Sequence, residues 1–373
     1  MKIVVIGGGP SGLYFAILMR RLGHEVEVFE RNARDATFGW GVVFSDRTMR
    51  YLAEPDPETH RLLLEHLRTW ENVDIVHRGE LISVAGNRFS GIARIALLEV
   101  LQKRASELGV ALHFEREVSD PLELSADLIV GADGVNSLVR ARLAEHFEPS
   151  LELGNNRYIW YGTVQPFGGL TLTFRPGPLE NLFMAHSYKY SGELSTFIVE
   201  VDEPTWRNIE HLDEPDSRDL LEQVFAADLG GHPLLSNFSR WIRFTVVKNR
   251  HWFHRNVVLL GDALHTAHFS IGSGTKLALE DSIALWEAFR AHPRVQDALP
   301  AFEAARRPQV EEYQAVSELS RHWFENARQL MHLEPLPFAY EAMTRSSRVD
   351  DNSLARRDPA FVAAYREYLA RGA

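Results

Sequence analysis

The 373 residues suffice for two domains, and a hydrophobic fraction of 45% supports a large buried core, which excludes a disordered chain. A formal net charge of −11 excludes the broad basic surface that non-specific nucleic-acid binding requires. The chain has no cysteine, which excludes disulfides, thiolate metal sites and a cysteine nucleophile and indicates a reducing, cytoplasmic location.

The chain opens with a predicted strand–loop–helix unit, "IVVIGGGPSG", in which a β-branched run meets a cluster of glycines. Residues 24–30, "HEVEVFE", alternate like a second strand, so the unit is βαβ. The glycines interrupt the apolar segment 3–19 and no cleavage site follows, so we expect neither a signal peptide nor a membrane span there. No other segment is long and apolar enough to cross a bilayer.

The glycine loop has the spacing of a dinucleotide site. Gly7 permits a tight turn, Gly9 lets the backbone approach a pyrophosphate, and Gly12 allows close packing of helix on strand. An acid at the end of the next strand, Glu30, is placed to accept hydrogen bonds from a ribose. An ordinary glycine turn is the alternative, and the motif does not distinguish NAD from FAD. The predicted loop site comprises Gly7, Gly9, Ser11, Gly12, Glu30 and Arg31.

The pattern of residue types along the chain changes twice after this unit. Residues 151–247 are aromatic and β-branched, with Gly and Pro between the segments, which predicts an antiparallel sheet; an α/β pattern then returns with "NVVLLGDA". We therefore predict an α/β fold with a β-rich insertion. Its parts are a discontinuous dinucleotide-binding domain of residues 1–150 and 248–316, a substrate domain of residues 151–247 with part of 72–92, and a helical segment of residues 317–373.

A second cluster of glycines and acids, "GDALHTAHFSIGSGTKLALED", follows a strand at residues 261–281. FAD is too long for one βαβ unit, so a second strand end is expected to hold its ribityl chain and flavin ring. Asp262 is the predicted acceptor for ribityl hydroxyls, and Gly272 and Gly274 free backbone N–H groups to face the ring. A third segment, "DLIVGADGVNSLVR", puts Asp133 just after a strand, although an Asp-Gly pair is often only a turn.

These motifs together resemble the group A FAD-dependent aromatic hydroxylases. The strings "FGWGVVFSD", "WYGT", "STFIVE", "HFSIGSGTK" and "LEPLPFAYEAMTRSSRV" look most like the family of salicylyl-CoA 5-hydroxylase and 2-aminobenzoyl-CoA monooxygenase, in a form with one flavin domain. The sequence departs from the usual pattern at His268 and Phe269, where prolines are common, and at Lys276, where asparagine is common. Those departures concern the ring pocket.

The resemblance implies a Rossmann-like FAD domain and a reaction. NADH or NADPH would reduce the FAD, O₂ would form a C4a-hydroperoxide, and an aromatic acyl-CoA would be hydroxylated para to an OH or NH₂ group. It also implies that Arg94 lies against the ribityl chain or pyrophosphate and that Gly41 approaches the flavin; a surface arginine and a plain turn are the alternatives. The sequence leaves the oligomeric state and the choice between NADH and NADPH open.

Three residues are candidates for catalysis by contact with the substrate: His268, on the second glycine loop, and His186 and Tyr188, on a predicted strand of the insertion. Core packing is the alternative for each. Lys189, Arg157 and the basic run 345–357 are candidate donors to the CoA phosphates, with a solvated surface as the alternative. The histidine pairs His251–His254 and His265–His268 lack a nearby carboxylate in a recognisable triad, so no metal site is predicted.

Three other functions stay open at this point. A dehydrogenase or reductase of the same fold is the first, and a flavin-binding regulator without activity is the second. The third is a hydroxylase of an indole-derived intermediate, because shorter pieces resemble the flavin hydroxylase of violacein biosynthesis.

Overall fold

The computed structural model describes residues 1–372, with the side chains of Asp46 and Arg47 outside that description; Ala373, the end of the predicted helical segment, lies outside it as well. The strands are β1 Lys2–Ile6, β2 Glu25–Phe29, β3 Gly41–Ser45, β4 Arg68–Trp70, β5 Val73–His77, β6 Glu80–Val84, β7 Phe89–Ala93, β8 Ala111–His113, β9 Leu128–Gly131, β10 Pro149–Thr163, β11 Leu170–Pro176, β12 Leu182–Lys189, β13 Ser195–Val201, β14 Leu234–Leu235, β15 Ile242–Asn249, β16 Phe253–His254 and β17 Val257–Leu259.

The helices are α1 Pro10–Arg21, α2 Asp46–Ala53, α3 Pro57–Leu64, α4 Arg94–Glu107, α5 Leu138–Arg142, α6 Ala144–Phe147, α7 Glu203–Ile209, α8 Glu214–Val224, α9 Ala226–Leu229, α10 Gly274–Ala291, α11 Val295–Glu325, α12 Pro335–Thr344, α13 Asp351–Arg357 and α14 Pro359–Ala370. Within residues 1–372, no helix combines the length and the apolar character needed to cross a membrane.

A six-stranded sheet forms the first layer, with the order β16-β17-β9-β1-β2-β8. All its neighbours pair in parallel except the edge hairpin of β16 and β17. The central strands are Val- and Ile-rich and buried, as expected for a parallel sheet covered on both faces. Because β9 lies between β1 and β17, the carboxyl ends of these three strands meet at one edge.

A larger sheet of eight strands contains the aromatic segments. Its order is β14-β10-β13-β12-β11-β5-β6, and β15 pairs with the long strand β10. Most pairs are antiparallel as predicted, but β11 pairs in parallel with β5, which comes from the earlier part of the chain. A parallel pair needs a long connection, and the chain between these two strands supplies it. Strands β5 and β6 thus lie in this sheet, whereas β7 pairs with β3 and β4 in a separate three-stranded sheet.

Helices cover the large sheet on both faces. One apolar cluster joins it to α12, α13 and α14, and another joins it to α7, α8 and α9. The C-terminal segment is helical, as the sequence predicted. The domain boundaries at residues 150, 247 and 316 stay a prediction.

Candidate active site

The first glycine loop follows β1, and its positions are occupied by glycine for two different physical reasons. Gly7 has a φ of +109°, and a Cβ there would lie 2.2 Å from the Ala132 carbonyl oxygen. A Cβ on Gly12 would lie 2.1 Å from the Gly7 carbonyl oxygen. Packing inside the protein therefore requires both glycines, as the motif predicted. Gly9 differs: it is the N-cap of α1, and a Cβ there would meet no protein atom within 4 Å. Its surroundings suit the close approach of a phosphate.

Glu30 stands beside this loop at the end of β2. Its Oε2 accepts a hydrogen bond from the Gly8 amide at 2.8 Å, and its Oε1 accepts one from the Asn32 amide at 2.8 Å. A carboxylate offers about four acceptor positions, so the group retains capacity for a ribose hydroxyl. Arg31 is exposed next to it. These placements agree with the predicted ribose site but do not test it.

Asp133 has a local function. Its carboxylate accepts hydrogen bonds from the Ser137 hydroxyl and from the amides of Leu138 and Val139, at 2.7 and 3.2 Å for the two amides. Both oxygens therefore hold the turn between β9 and α5. The neighbouring Gly134 borders the large cavity described below, and Asp133 is not among its lining residues. The Asp133 carboxylate therefore shapes this loop, and its contact with the cofactor stays a prediction.

The second glycine cluster lies against the first. Gly261 has a φ of +58°, and a Cβ on it would lie 2.6 Å from the Ser11 hydroxyl oxygen. Behind this contact, Asp281 of α10 accepts from the Gly261 amide at 3.3 Å and from the Arg306 guanidinium at 2.8 Å. Burial alone would raise the Asp281 pKa, but the cationic groups around it hold that pKa below its usual range. Residues far apart in the chain therefore form one loop pair, supported by buried charges.

Asp262 borders the same cavity, and its side chain is accessible from it. The protein on its other sides desolvates the carboxylate and raises its pKa, while the positive charge of Arg94 opposes that rise. Arg94 is the first residue of α4, and burial lowers its pKa against the opposing influence of Asp262. The two residues thus form an electrostatically coupled pair at the cavity wall, where the sequence placed cofactor contacts.

One cavity of about 780 Å³ joins these elements. Its first part is lined by the glycine loops, with Gly9, Ser11, Gly134, Asp262, Gly272 and Gly274. A Cβ on Gly274 would meet nothing within 4 Å, and Gly272 has a φ of +59°, so this loop also leaves open space for a ligand. A second part is aromatic and is lined by Tyr158, Trp160, His186, Tyr188, Phe244 and Phe269. One cavity thus brings the two glycine loops and a group of aromatic side chains together.

The glycines of "FGWGVVFSD" pack closely against aromatic side chains of the large sheet. A Cβ on Gly41 would lie 2.5 Å from the Tyr190 ring, and one on Gly39 would lie 2.9 Å from the Trp160 ring. Their small size is therefore required by aromatic side chains of the large sheet. Gly41 still lines the cavity, and its carbonyl accepts a hydrogen bond from the Tyr188 hydroxyl at 2.7 Å. Tyr188 lines the cavity too, but its hydroxyl holds this segment in place.

A buried histidine–glutamate pair lies at the aromatic part of the cavity. Strands β12 and β13 pair with His186 opposite Ile198, so Glu200 lies diagonally across on the same face. The His186 Nε2 is 3.1 Å from Glu200 Oε2, and Asn156 donates to Glu200 Oε1 at 2.8 Å. Burial pushes the Glu200 pKa upward, but the hydrogen bond from His186, the nearby His268 and Asn156 outweigh it and hold that pKa below its usual range. The pair resembles a general base oriented by a carboxylate.

His268 lies behind the cavity wall. Its ring packs against Phe244 and Phe269, and its Nδ1 is 2.8 Å from the Ser270 hydroxyl. Burial lowers its pKa to about 4. It is not among the residues that line the cavity, whereas its neighbours Phe269 and Ser270 are. This placement does not support the predicted contact between His268 and the substrate, and it favours a structural role.

Two of the predicted phosphate donors lie elsewhere. Arg157 pairs with Glu203 at 2.8 Å and its guanidinium stacks on Trp206, and neither Arg157 nor Lys189 borders the cavity. Residues of the basic run 345–357 do border it. Among the side chains that the structure describes, no three acids or histidines come together as ligands for a metal ion.

The sequence reasoning missed Glu200, Asn156, Tyr158 and Trp160 as members of the site. Glu200 gave one usable signal, because it is a lone carboxylate in the apolar strand "STFIVEV", every residue of which is buried. An ionisable group in such a strand needs a partner, and partners of this kind gather at functional sites.

Comparison with known proteins adds the family. Residues 1–317 match the family described as FAD binding domain. A salicyloyl-CoA 5-hydroxylase from a Streptomyces species is 42% identical over 378 residues, covering 97% of this chain and 72% of that protein. A 3-hydroxy-4-methyl-anthranilyl-(aryl-carrier protein) 5-monooxygenase from Streptosporangium sibiricum is 38% identical, covering 87% of this chain and 89% of that protein.

The fold comparison agrees. A solved structure of 2-methyl-3-hydroxypyridine-5-carboxylic acid oxygenase, in a tetrameric form, superposes with a TM-score of 0.75 over 95% of this chain and 97% of its own, at 20% identity. The open space at Gly9 and Gly274 and the accessible Asp262 carboxylate suit the two ends of a flavin dinucleotide. The chain therefore belongs to the FAD-dependent aromatic hydroxylases, monooxygenases that take their electrons from NAD(P)H.

Proposed function

We propose that this enzyme hydroxylates the ring of an aromatic acyl-CoA, with salicyloyl-CoA as its substrate and C5, para to the ring hydroxyl, as the position attacked. The observation that carries the proposal is that the three cations of the cavity wall that are not exposed, Arg94, Lys276 and Arg345, already have partners within the protein. None of these three interior cations is a free clamp for a ring carboxylate. The 42% identity to a salicyloyl-CoA 5-hydroxylase over nearly the whole chain supports the same choice.

Arg345 is the clearest case. Its Nε donates to the Ser320 hydroxyl at 3.0 Å, its Nη2 donates to the Ser270 carbonyl at 2.8 Å, and its Nη1 donates to the Ala342 carbonyl. Burial lowers its pKa to about 10, against the opposing influence of the Glu200 carboxylate. Its N–H donors are used in hydrogen bonds within the protein, and a substrate carboxylate would have to displace the groups that accept them.

The other two interior cations are paired as well. Arg94 is electrostatically coupled to Asp262, and the Lys276 ammonium lies 2.8 Å from Glu280 and over the ring of Tyr313. We name the aromatic part of the cavity the aromatic chamber. A free salicylate would bring its carboxylate into this chamber without a cationic partner, and burial of an unpaired carboxylate is unfavourable by several kcal/mol. A thioester at the same position is neutral. The chamber therefore suits the ring of an aryl thioester better than that of an aryl acid.

The residues in and around the aromatic chamber have separate roles in the reaction. A reduced flavin held by the two glycine loops would supply the activation of O₂, from which the oxygen atom comes. His186 donates its Nε2–H to the Glu200 carboxylate, which leaves its Nδ1 to accept a proton from the ring hydroxyl. Loss of that proton makes the para carbon electron-rich, and Glu200 stabilises the charge that His186 gains. Aromatic walls from Tyr158, Trp160 and Phe269 exclude water and orient the ring.

The test compares one ring in two chemical forms. Purified enzyme with bound FAD is mixed rapidly with NADH or NADPH in the presence of salicyloyl-CoA or of salicylate, flavin absorbance is followed, and products are identified by mass spectrometry. We expect salicyloyl-CoA to accelerate flavin reduction and to yield the 5-hydroxy product, and salicylate to do neither. Equal hydroxylation of the free acid would overturn the thioester assignment, and tight coupling to an indole-derived substrate alone would overturn the ring assignment.

A further inference from the structure

The wall of the cavity carries a second group of cations that differs from the interior one. Arg348, Arg357 and Arg88 all border the cavity, and all three are exposed. Arg348 follows α12, Arg357 ends α13, and Arg88 precedes β7. We name these three residues the arginine rim. The accessible part of the cavity wall is thus basic, while the chain as a whole carries a net charge of −11.

Packing between two chain segments builds the rim. Gly86 has a φ of +71°, and a Cβ on it would lie 2.7 Å from the Arg357 carbonyl oxygen. The Ala85 amide donates to Asp358 at 2.8 Å, and Arg357 Nη1 donates to the Asn87 side-chain oxygen at 3.0 Å. These contacts fix the loop that carries Arg88 against the end of α13. The rim is therefore a defined arrangement rather than a set of independent surface residues.

Two members of the rim have neutral partners, whereas Arg88 lies 3.6 Å from the Glu71 carboxylate. Arg357 donates to the amide of Asn87, and Arg348 donates to the Tyr313 hydroxyl at 3.3 Å and stacks over its ring at 4.6 Å. No acidic side chain among the described residues lies within ion-pair distance of either guanidinium. Arg356 is also exposed and lies next to Arg357 on the same helix, but it does not border the cavity. It therefore provides a matched control for the experiment below.

We propose that the arginine rim binds the phosphate groups of coenzyme A while the acyl ring of the same molecule lies in the aromatic chamber. This inference rests on the proposed function. Guanidinium groups bind phosphates through paired, charge-assisted hydrogen bonds, and Arg348 and Arg357 have donors that no acid neutralises. The pantetheine arm separates the thioester from the phosphates, so a substrate whose ring is inside the cavity carries its charge at the accessible wall. Interior and rim thus match the neutral and the anionic ends of one molecule.

The experiment varies the phosphate and keeps the ring. Values of kcat/KM are measured for salicyloyl-CoA and for salicyloyl-pantetheine, which lacks phosphate, with the wild type and the variants Arg348→Gln, Arg357→Gln and their double variant. An exposed ion pair contributes up to about 1 kcal/mol, so each substitution lowers the preference for CoA over pantetheine about fivefold, and the double variant lowers it about 25-fold. The Arg356→Gln control keeps the wild-type preference.

Further measurements separate binding from folding. FAD content and melting temperature identify a variant that is misfolded, and Arg357→Lys, which retains the charge, is expected to recover part of the lost preference. Higher ionic strength lowers kcat/KM for the CoA thioester more in the wild type than in the double variant.

The outcomes also separate this inference from the proposed function. If both thioesters are hydroxylated with equal kcat/KM, the rim inference is wrong and the proposed function stands. If neither thioester is hydroxylated, the proposed function is wrong. A preference of more than tenfold for a salicyloyl group on a carrier protein over the CoA thioester would overturn the assignment of the rim to coenzyme A.

Discussion

Replacing Gly9 with alanine separates cofactor binding from folding. Gly9 is the N-cap of α1 with φ −76° and ψ 178°, a conformation that alanine adopts without strain, and no protein atom lies within 4 Å of the added Cβ. Alanine is a poorer N-cap than glycine but also reduces the entropy of the unfolded chain, and the two effects nearly cancel. We expect the stability of the flavin-free protein to change by less than about 0.5 kcal/mol.

The effect on FAD is larger because the methyl group occupies the space next to the free amides of α1. A phosphate displaced by a few tenths of an ångström loses at least one charge-assisted hydrogen bond, worth about 1.5–3 kcal/mol. We therefore expect the Kd for FAD to rise about 10- to 150-fold. The assay is a fluorescence titration of flavin-free protein with FAD, paired with thermal unfolding of the same sample.

Two glycines provide the comparison. Gly12→Ala places a Cβ 2.1 Å from the Gly7 carbonyl oxygen, so this variant is expected to lose more than about 2 kcal/mol of stability as well as FAD. Gly192→Ala, in the turn between β12 and β13, also meets no atom within 4 Å, and it lies outside the cavity lining, so it should change neither property. An unchanged FAD affinity in Gly9→Ala would refute the placement of the pyrophosphate at this loop.

The remaining predictions concern two buried ionisable residues, Glu200 and His268, and the expected independence of turnover from metal ions. Glu200→Gln removes the charge that stabilises a protonated His186, so we expect kcat with salicyloyl-CoA to fall at least about tenfold and the acidic limb of its pH profile to move to lower pH; an unchanged profile would exclude the pair from proton transfer. Because burial lowers the His268 pKa to about 4 from an unfolded value near 6.5, the unfolded state binds the proton first, and stability present above pH 6.5 is lost as the pH falls towards 4. Between pH 7 and 5 the wild type should lose about 2 kcal/mol more than His268→Gln in urea unfolding, and equal losses would contradict the buried neutral ring. Exhaustive chelation should leave turnover intact, and restoration of a lost activity by zinc or iron would show that a metal site was overlooked.

Local signals explain what the sequence predicted correctly. The strand before Gly7, the helix after it and the alternating strand that ends at Phe29 each depend on neighbouring residues, and all three occur as expected. Gly12 was assigned to helix–strand packing, and the contact of its Cβ position with Gly7 bears this out. Local signals did not show the contact of Gly41 with Tyr190, because Tyr190 is distant in sequence. The approach of Gly41 to the flavin, which the resemblance implied, stays a prediction.

The substrate chamber could not be predicted in the same way. Tyr158 and Glu200 become neighbours only through the register of β10 on β13, and His186 joins them through the register of β12 on β13. Hydrophobic alternation fixes which face a residue occupies but not which strand lies beside it. His268 shows the converse, because its place in a recognisable motif suggested the substrate side, and packing between Phe244 and Phe269 puts it behind the wall.

The position of β9 between β1 and β17 determines when the two glycine loops can meet during translation. The contact between Ser11 and Gly261 closes the flavin site, yet the second residue leaves the ribosome long after the first. A nascent chain that has folded only its first βαβ unit holds only one of the two glycine loops. We therefore expect stable flavin binding only after residue 261 has been translated. The yellow colour of the protein then reports translation beyond Gly261 and assembly of the two loops.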